Sequence, residues 1–239
     1  MNIDEKKFRI WFWVLPMSIA AIMAGYIYFV LPHERSVETL GMFIFKLLPF
    51  FFASIGVATF PHRVPPVLKL LLLFGTVVLF FAFFVPRQLF FLRSGLALGL
   101  ETAVGSDTAP FDEIFAKFYT ITAIMVPFFI LSTGLGHRLG GGSTGNTLKF
   151  LFAGIIFMIS GIEDIAYFVV NGLGQMPDTI YWASHMTVRL GREATRMEFF
   201  VICALHILLA IIILVLPLDT MLQRLQQRLF TPSVQLAEA

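Results

Sequence analysis

Six runs of about twenty apolar residues, parted by short stretches rich in Gly, Pro and charge, constrain this chain more than anything else in it. They fall at residues 9–31, 40–60, 66–85, 112–135, 148–171 and 197–217. At 1.5 Å per residue, about twenty residues cross about 30 Å of hydrocarbon. Lipid offers no water to unpaired backbone groups, so a spanning segment is either a helix or part of a closed barrel. A barrel would alternate apolar and polar residues in segments of about ten, and these runs do not alternate. The reading is an all-α polytopic membrane protein, one transmembrane domain over residues 1–239, with an amphipathic cytoplasmic tail at 218–239.

Composition agrees. Charged residues make up 13% and apolar residues 58% of the chain, whereas roughly a quarter of a soluble domain is charged. The net charge of +2 and the lack of any run of like charge argue against a nucleic-acid partner. The single cysteine, Cys203, excludes a disulfide framework or a multi-cysteine metal cluster built from this chain alone. The first apolar run is longer than a signal-peptide core, so it reads as a retained span.

An even number of spans puts both termini on one side. The loops on that side carry nine Lys and Arg residues and the opposite loops six, Arg35, Arg87, Arg93, Arg189, Arg192 and Arg196. The positive-inside rule then places the termini in the cytoplasm and the chain in a plasma (inner) membrane. Residues 86–105 read as a helix lying on the outer surface. Ser106-Asp107-Thr108, followed by Asp112 and Glu113, reads as a helix start. The Gly140–Gly145 run lacks the Gly-Lys-Ser/Thr ending of a phosphate loop and reads as a flexible linker.

Chemistry concentrates between residues 160 and 206. On the fifth span Ser160, Glu163, Asp164, Tyr167 and Asn171 recur at spacings of three or four, which places most of them on one side of a helix. A carboxylate facing lipid costs roughly 2.5–3.5 kcal/mol at mid-membrane, so that side should meet protein. Adjacent carboxylates also repel unless a cation or shared proton relieves them. Lys46, on the second span, reads as a side chain that snorkels toward the headgroups or, alternatively, as the partner that neutralises Glu163 or Asp164 at a similar depth. On the sixth span Glu198, Ile202, Cys203 and His206 occupy a narrow sector. The connection reads as an interfacial helix over 179–190 with Tyr181 and Trp182 as anchors. If it continued through Gly191, then His185, Arg189, Arg192 and Arg196 would form one stripe, a lid whose arginines bind an anionic group.

Carboxylates and imidazoles together make a ligand set for iron, copper, manganese or zinc. The favoured expectation is a transition-metal site of Glu163, His185, Glu198 and His206, with Asp164, Arg189 and Arg192 catalytic. It would oxidise or hydrolyse a small or lipid-like substrate. Two alternatives stand beside it. One is a non-catalytic subunit of a larger membrane complex or homo-oligomer; the other is a proton- or ion-coupled transporter using Glu163, Asp164 and His206. No Glu-x-x-His or His-Glu-x-x-His pattern supports the metal.

Overall fold

The computed structural model describes residues 3–31, 37–102, 109–170, 174, 176–180 and 182–230. Arg35, the Ser106–Thr108 start, Asn171, Tyr181 and the tail from Thr231 lie outside them, as do the side chains of Asp112 and Glu113.

The chain is an all-α polytopic membrane protein. Its helices are α1 (Ile3–Phe29), α2 (Leu40–Thr59), α3 (Pro66–Leu79), α4 (Val85–Thr102), α5 (Ala109–Leu139), α6 (Thr144–Met158), α7 (Ile162–Val170), α8 (Ser184–Leu190), α9 (Arg196–Val215) and α10 (Leu218–Phe230). Among the described residues, five helical segments are long and apolar enough to cross a membrane, six if the bent pair α6–α7 counts as one. Most of their large apolar side chains, such as Phe74, Val169 and Leu208, point outward. This is the arrangement a lipid solvent stabilises.

The third span corrects the expectation of a break near residue 86. Helix α3 runs into α4 through a five-residue π-helical turn, Phe80–Phe84, so that Pro66–Leu96 is one apolar segment. Pro86 accounts for the turn. It has no N–H to offer Ala82 four residues back, and Val85 donates to Phe80 five residues back instead. Helix α4 packs along α5, where Phe84, Phe91 and Ile121 are buried together.

The glycine run is an ordered turn. Gly141 takes a positive φ of 100°, and Arg138 Nη1 donates to Gly142 O at 2.7 Å. Ser143 then caps α6 by accepting from Asn146 N. Asp219, in the first turn of α10, accepts from Gly145 N at 2.8 Å and from Ser143 Oγ at 2.6 Å. That carboxylate occupies the anion-binding end of α6 and ties the last helix to the bundle.

Helix α6 is the centre of the assembly, packed against α2, α5, α9 and α10. The fifth and sixth spans are therefore neighbours. Instead of crossing straight, the fifth span breaks at Ser160–Gly161, and α7 leaves α6 at 63°. Beyond α7, two short strands, β1 (Thr179–Ile180) and β2 (Ala194–Thr195), pair antiparallel and close the connection into a small lid. Its core is Met176, Ile180, Ala183, Met186, Ala194 and Phe199.

Candidate functional site

The break shapes the site. Gly161 has φ +81°, a conformation open to glycine at little cost and strained for L side chains. A Cβ on Gly161 would lie 2.5 Å from Cζ of Phe199, whose side chain is fully buried. Ser160 closes the turn by donating from Oγ to Phe157 O at 2.6 Å and accepting from Ile162 N at 3.2 Å. Two helix termini thus face one another across three residues. The C-terminus of α6 carries partial negative charge and the N-terminus of α7 partial positive charge.

The charged side chains follow those dipoles. Glu163 and Asp164 stand in the first turn of α7, where the positive end of the helix dipole offsets their charge. Asp164 Oδ1 also accepts from Trp182 Nε1 at 2.9 Å, and the indole stacks on Phe168 with ring centres 6.0 Å apart. The structure gives Lys46 no ion pair with either carboxylate. A helix N-terminus and an indole N–H stand where the alternative reading had a lysine.

At the opposite terminus Arg189 reaches from α8. Its Nη2 donates to Ile159 O at 3.3 Å, beside the end of α6. Its Nη1 donates to His206 Nε2 at 2.9 Å, and its guanidinium lies 4.7 Å from the ring centre of Phe43. His206 Nδ1 is 2.7 Å from Ile202 O. A guanidinium only donates and a carbonyl only accepts. One tautomer satisfies both contacts: His206 is neutral, with its proton on Nδ1 and its Nε2 lone pair taken by Arg189. Burial pushes the Arg189 guanidinium below its ordinary range, and it stays charged.

His185, on the same short helix, buries Nε2 without a hydrogen-bond partner. Burial, with Arg189 and His206 adding repulsion, holds its pKa down at about 4. Its imidazole is neutral at neutral pH. Ser184 fixes the start of α8 by accepting from Val37 N at 3.1 Å.

The interfacial helix is shorter than expected and the stripe is split. Helix α8 starts at Ser184 and stops at Gly191, which takes φ +71° as its C-cap. Arg189 turns inward. Arg192 turns outward and forms an exposed bidentate ion pair with Glu198. Glu198 also completes a capping box, with Oε2 accepting from Thr195 N at 2.9 Å while Thr195 Oγ1 accepts from Glu198 N at 3.3 Å. Arg196 pairs with Asp178 at 2.8 Å and donates to Met176 O.

Of the seven expected site residues, the structure joins Arg189 to His206, places His185 near both, and sets Glu163 and Asp164 across the break from them. Arg192 and Glu198 belong to a separate exposed pair at the start of α9. Among the described residues, no three His, Cys, Asp or Glu side chains converge as a metal-ligand group. Gly161, Phe43, Trp182 and the Ile159 carbonyl were absent from the sequence-derived set. Of these only Gly161 carried a signal, since a Ser-Gly pair marks turns. No family model matches the chain, and no curated protein and no solved structure resembles it.

Proposed function

We propose that this membrane protein is a proton-coupled carrier of small organic anions, working through Arg189, His206 and His185. The Arg189–His206 contact at the break of a discontinuous span carries this reading. Carrier sites are commonly built where a spanning helix is interrupted and its half-helix ends face a ligand. Here a guanidinium is held by a neutral imidazole, a carbonyl and a ring, with no carboxylate opposite it among the described residues. An anion on Arg189 would supply the missing charge. A proton taken up by His206 would turn its contact with Arg189 from attraction to repulsion, which ties ligand and proton together. Glu163 and Asp164, in the first turn of α7 across the break, would be the groups that pass the proton onward.

The test uses proteoliposomes loaded with a pH-sensitive dye and given a panel of small carboxylates and phosphates. Anion-dependent internal acidification is expected, lost in Arg189→Gln and His206→Gln and kept in Lys46→Gln. Wild-type flux in both site variants would overturn the reading. The metal-enzyme alternative is decided by elemental analysis of protein purified without chelator. A stoichiometric transition metal, lost in His206→Ala and Glu163→Gln, would favour it over transport.

A further inference from the structure

Independently of the carrier reading, the 63° divergence of α7 from α6 opens a wedge between α7 and the start of α9. The wedge is an open groove of about 400 Å³, comparable in size to small-ligand sites. Its walls are Ile165, Phe168 and Val169 from α7, Met176 from the connection, and Phe200 from α9, with Arg196 as the single charge. The floor is firm. Met176 is buried, and Phe168 is pinned by the Trp182 stack that Asp164 holds. Among the described residues the mouth stays open: Val169 is 75% exposed and Phe200 41%.

Three observations point to the occupant. The groove lies between the bent pair α6–α7 and α9, both apolar enough to span a membrane, and the exposed apolar side chains on its rim suit lipid as a neighbour. Its walls are apolar, and an apolar cavity does not hold water well. Its one charge is on the first residue of the span α9, which is headgroup depth. There Arg196 lies 2.8 Å from Asp178, whose side chain is 88% exposed. A cation and an anion side by side at a lipid-facing rim complement a zwitterion that carries a phosphate and an ammonium a few atoms apart. We propose that this wedge is a binding site for one amine-bearing zwitterionic phospholipid. One acyl chain lies along Phe168, Val169 and Phe200, the phosphate rests on Arg196, and the headgroup ammonium rests on Asp178.

Trp182 provides the readout, because it stacks on a wall of the wedge. Trp11→Phe and Trp13→Phe leave it the only tryptophan. The full chain is reconstituted in phosphatidylcholine vesicles containing a rising fraction of phosphatidylethanolamine with brominated acyl chains or, as the comparison, of phosphatidylcholine brominated in the same way. Quenching of Trp182 is expected to saturate at low mole fraction and to be reversed by unbrominated phosphatidylethanolamine. Asp178→Asn, at an exposed position, should weaken the apparent affinity about tenfold, in line with one lost charge-assisted contact. Val169→Phe fills the wedge from an exposed position and should abolish the saturable phase. Quenching that rises linearly with bromolipid, equally for both headgroups and unchanged by Val169→Phe, would mean ordinary boundary lipid. Absence of quenching at every fraction would mean that protein covers the wedge. Either result overturns the assignment.

Discussion

Replacing Gly161 by Ala tests whether the break is built by this glycine. Two independent costs apply. A left-handed backbone costs an L residue about 1–2 kcal/mol, and Gly161 has φ +81°. The new methyl would also sit 2.5 Å from Cζ of Phe199, a ring wedged in the lid core with Met176, Ile180 and Met186. Overpacking of that kind costs about 1–3 kcal/mol. The sum is roughly 2–5 kcal/mol, measurable as reversible unfolding in mixed micelles of SDS and mild detergent. Gly75→Ala is the control, since Gly75 is inside α3 and nothing lies within 4 Å of its added methyl, and it should be as stable as the parent or up to about 1 kcal/mol more so. A double-mutant cycle with Phe199→Leu separates the two costs. The steric part should vanish in the Leu background and the backbone part should remain, giving coupling of about 1–3 kcal/mol. A Gly161→Ala protein as stable as its parent would refute the argument, because the turn would then be imposed by the lid.

Further predictions concern the groups around the break. His185 binds its proton more weakly when folded, at about 4, than when unfolded, at 6.5. Its contribution to stability is complete above pH 6.5 and is lost as pH falls toward 4. Thermal melts in detergent should show this loss, at most about 3 kcal/mol, and a shallower decline in His185→Gln. Thr195→Ala removes the N-cap hydroxyl of α9 and should cost about 1 kcal/mol, read by the same unfolding assay. Asp219→Ala removes the acceptor for Gly145 N and Ser143 Oγ, so trypsin should cut after the exposed Arg224 several-fold faster while the spans stay folded.

The spans were legible because lipid imposes one rule on every residue in them. Run length and hydrophobicity suffice to place α1, α2, α5 and α9, and the Leu222, Leu225 and Leu229 spacing suffices for an amphipathic α10. What sequence patterning missed depends on tertiary contact. A proline at 86 is compatible with a helix end or with a π turn, and packing of α4 along α5 decides for the turn. Ser160, Glu163, Asp164 and Tyr167 share a side only if the helix is straight, and the bend at Gly161 separates Ser160 from the rest. The stripe of His185, Arg189, Arg192 and Arg196 likewise assumed a helix through Gly191, whose positive φ sends Arg189 and Arg192 in opposite directions. In the last two cases the period was extended across a glycine at which the helix breaks.

That error bears on function, because a straight fifth span would have needed an external cation for Glu163 and Asp164 and an external anion for Arg189. Breaking the span supplies both from the backbone. The new N-terminus of α7 turns the positive end of its dipole to the carboxylates, and the new C-terminus of α6 offers the Ile159 carbonyl to the guanidinium. The dipoles are fixed in place, while the side chains they hold are exchangeable. A carboxylate can take a proton, and a guanidinium held by a carbonyl, a ring and a neutral imidazole can turn to a stronger acceptor. A salt bridge between Arg189 and Asp164 would neutralise both charges and leave neither for a ligand. Keeping them apart, the carboxylates in the first turn of α7 and the guanidinium on α8 against the end of α6, preserves one acidic and one basic group, as a site that moves a proton together with an anion requires.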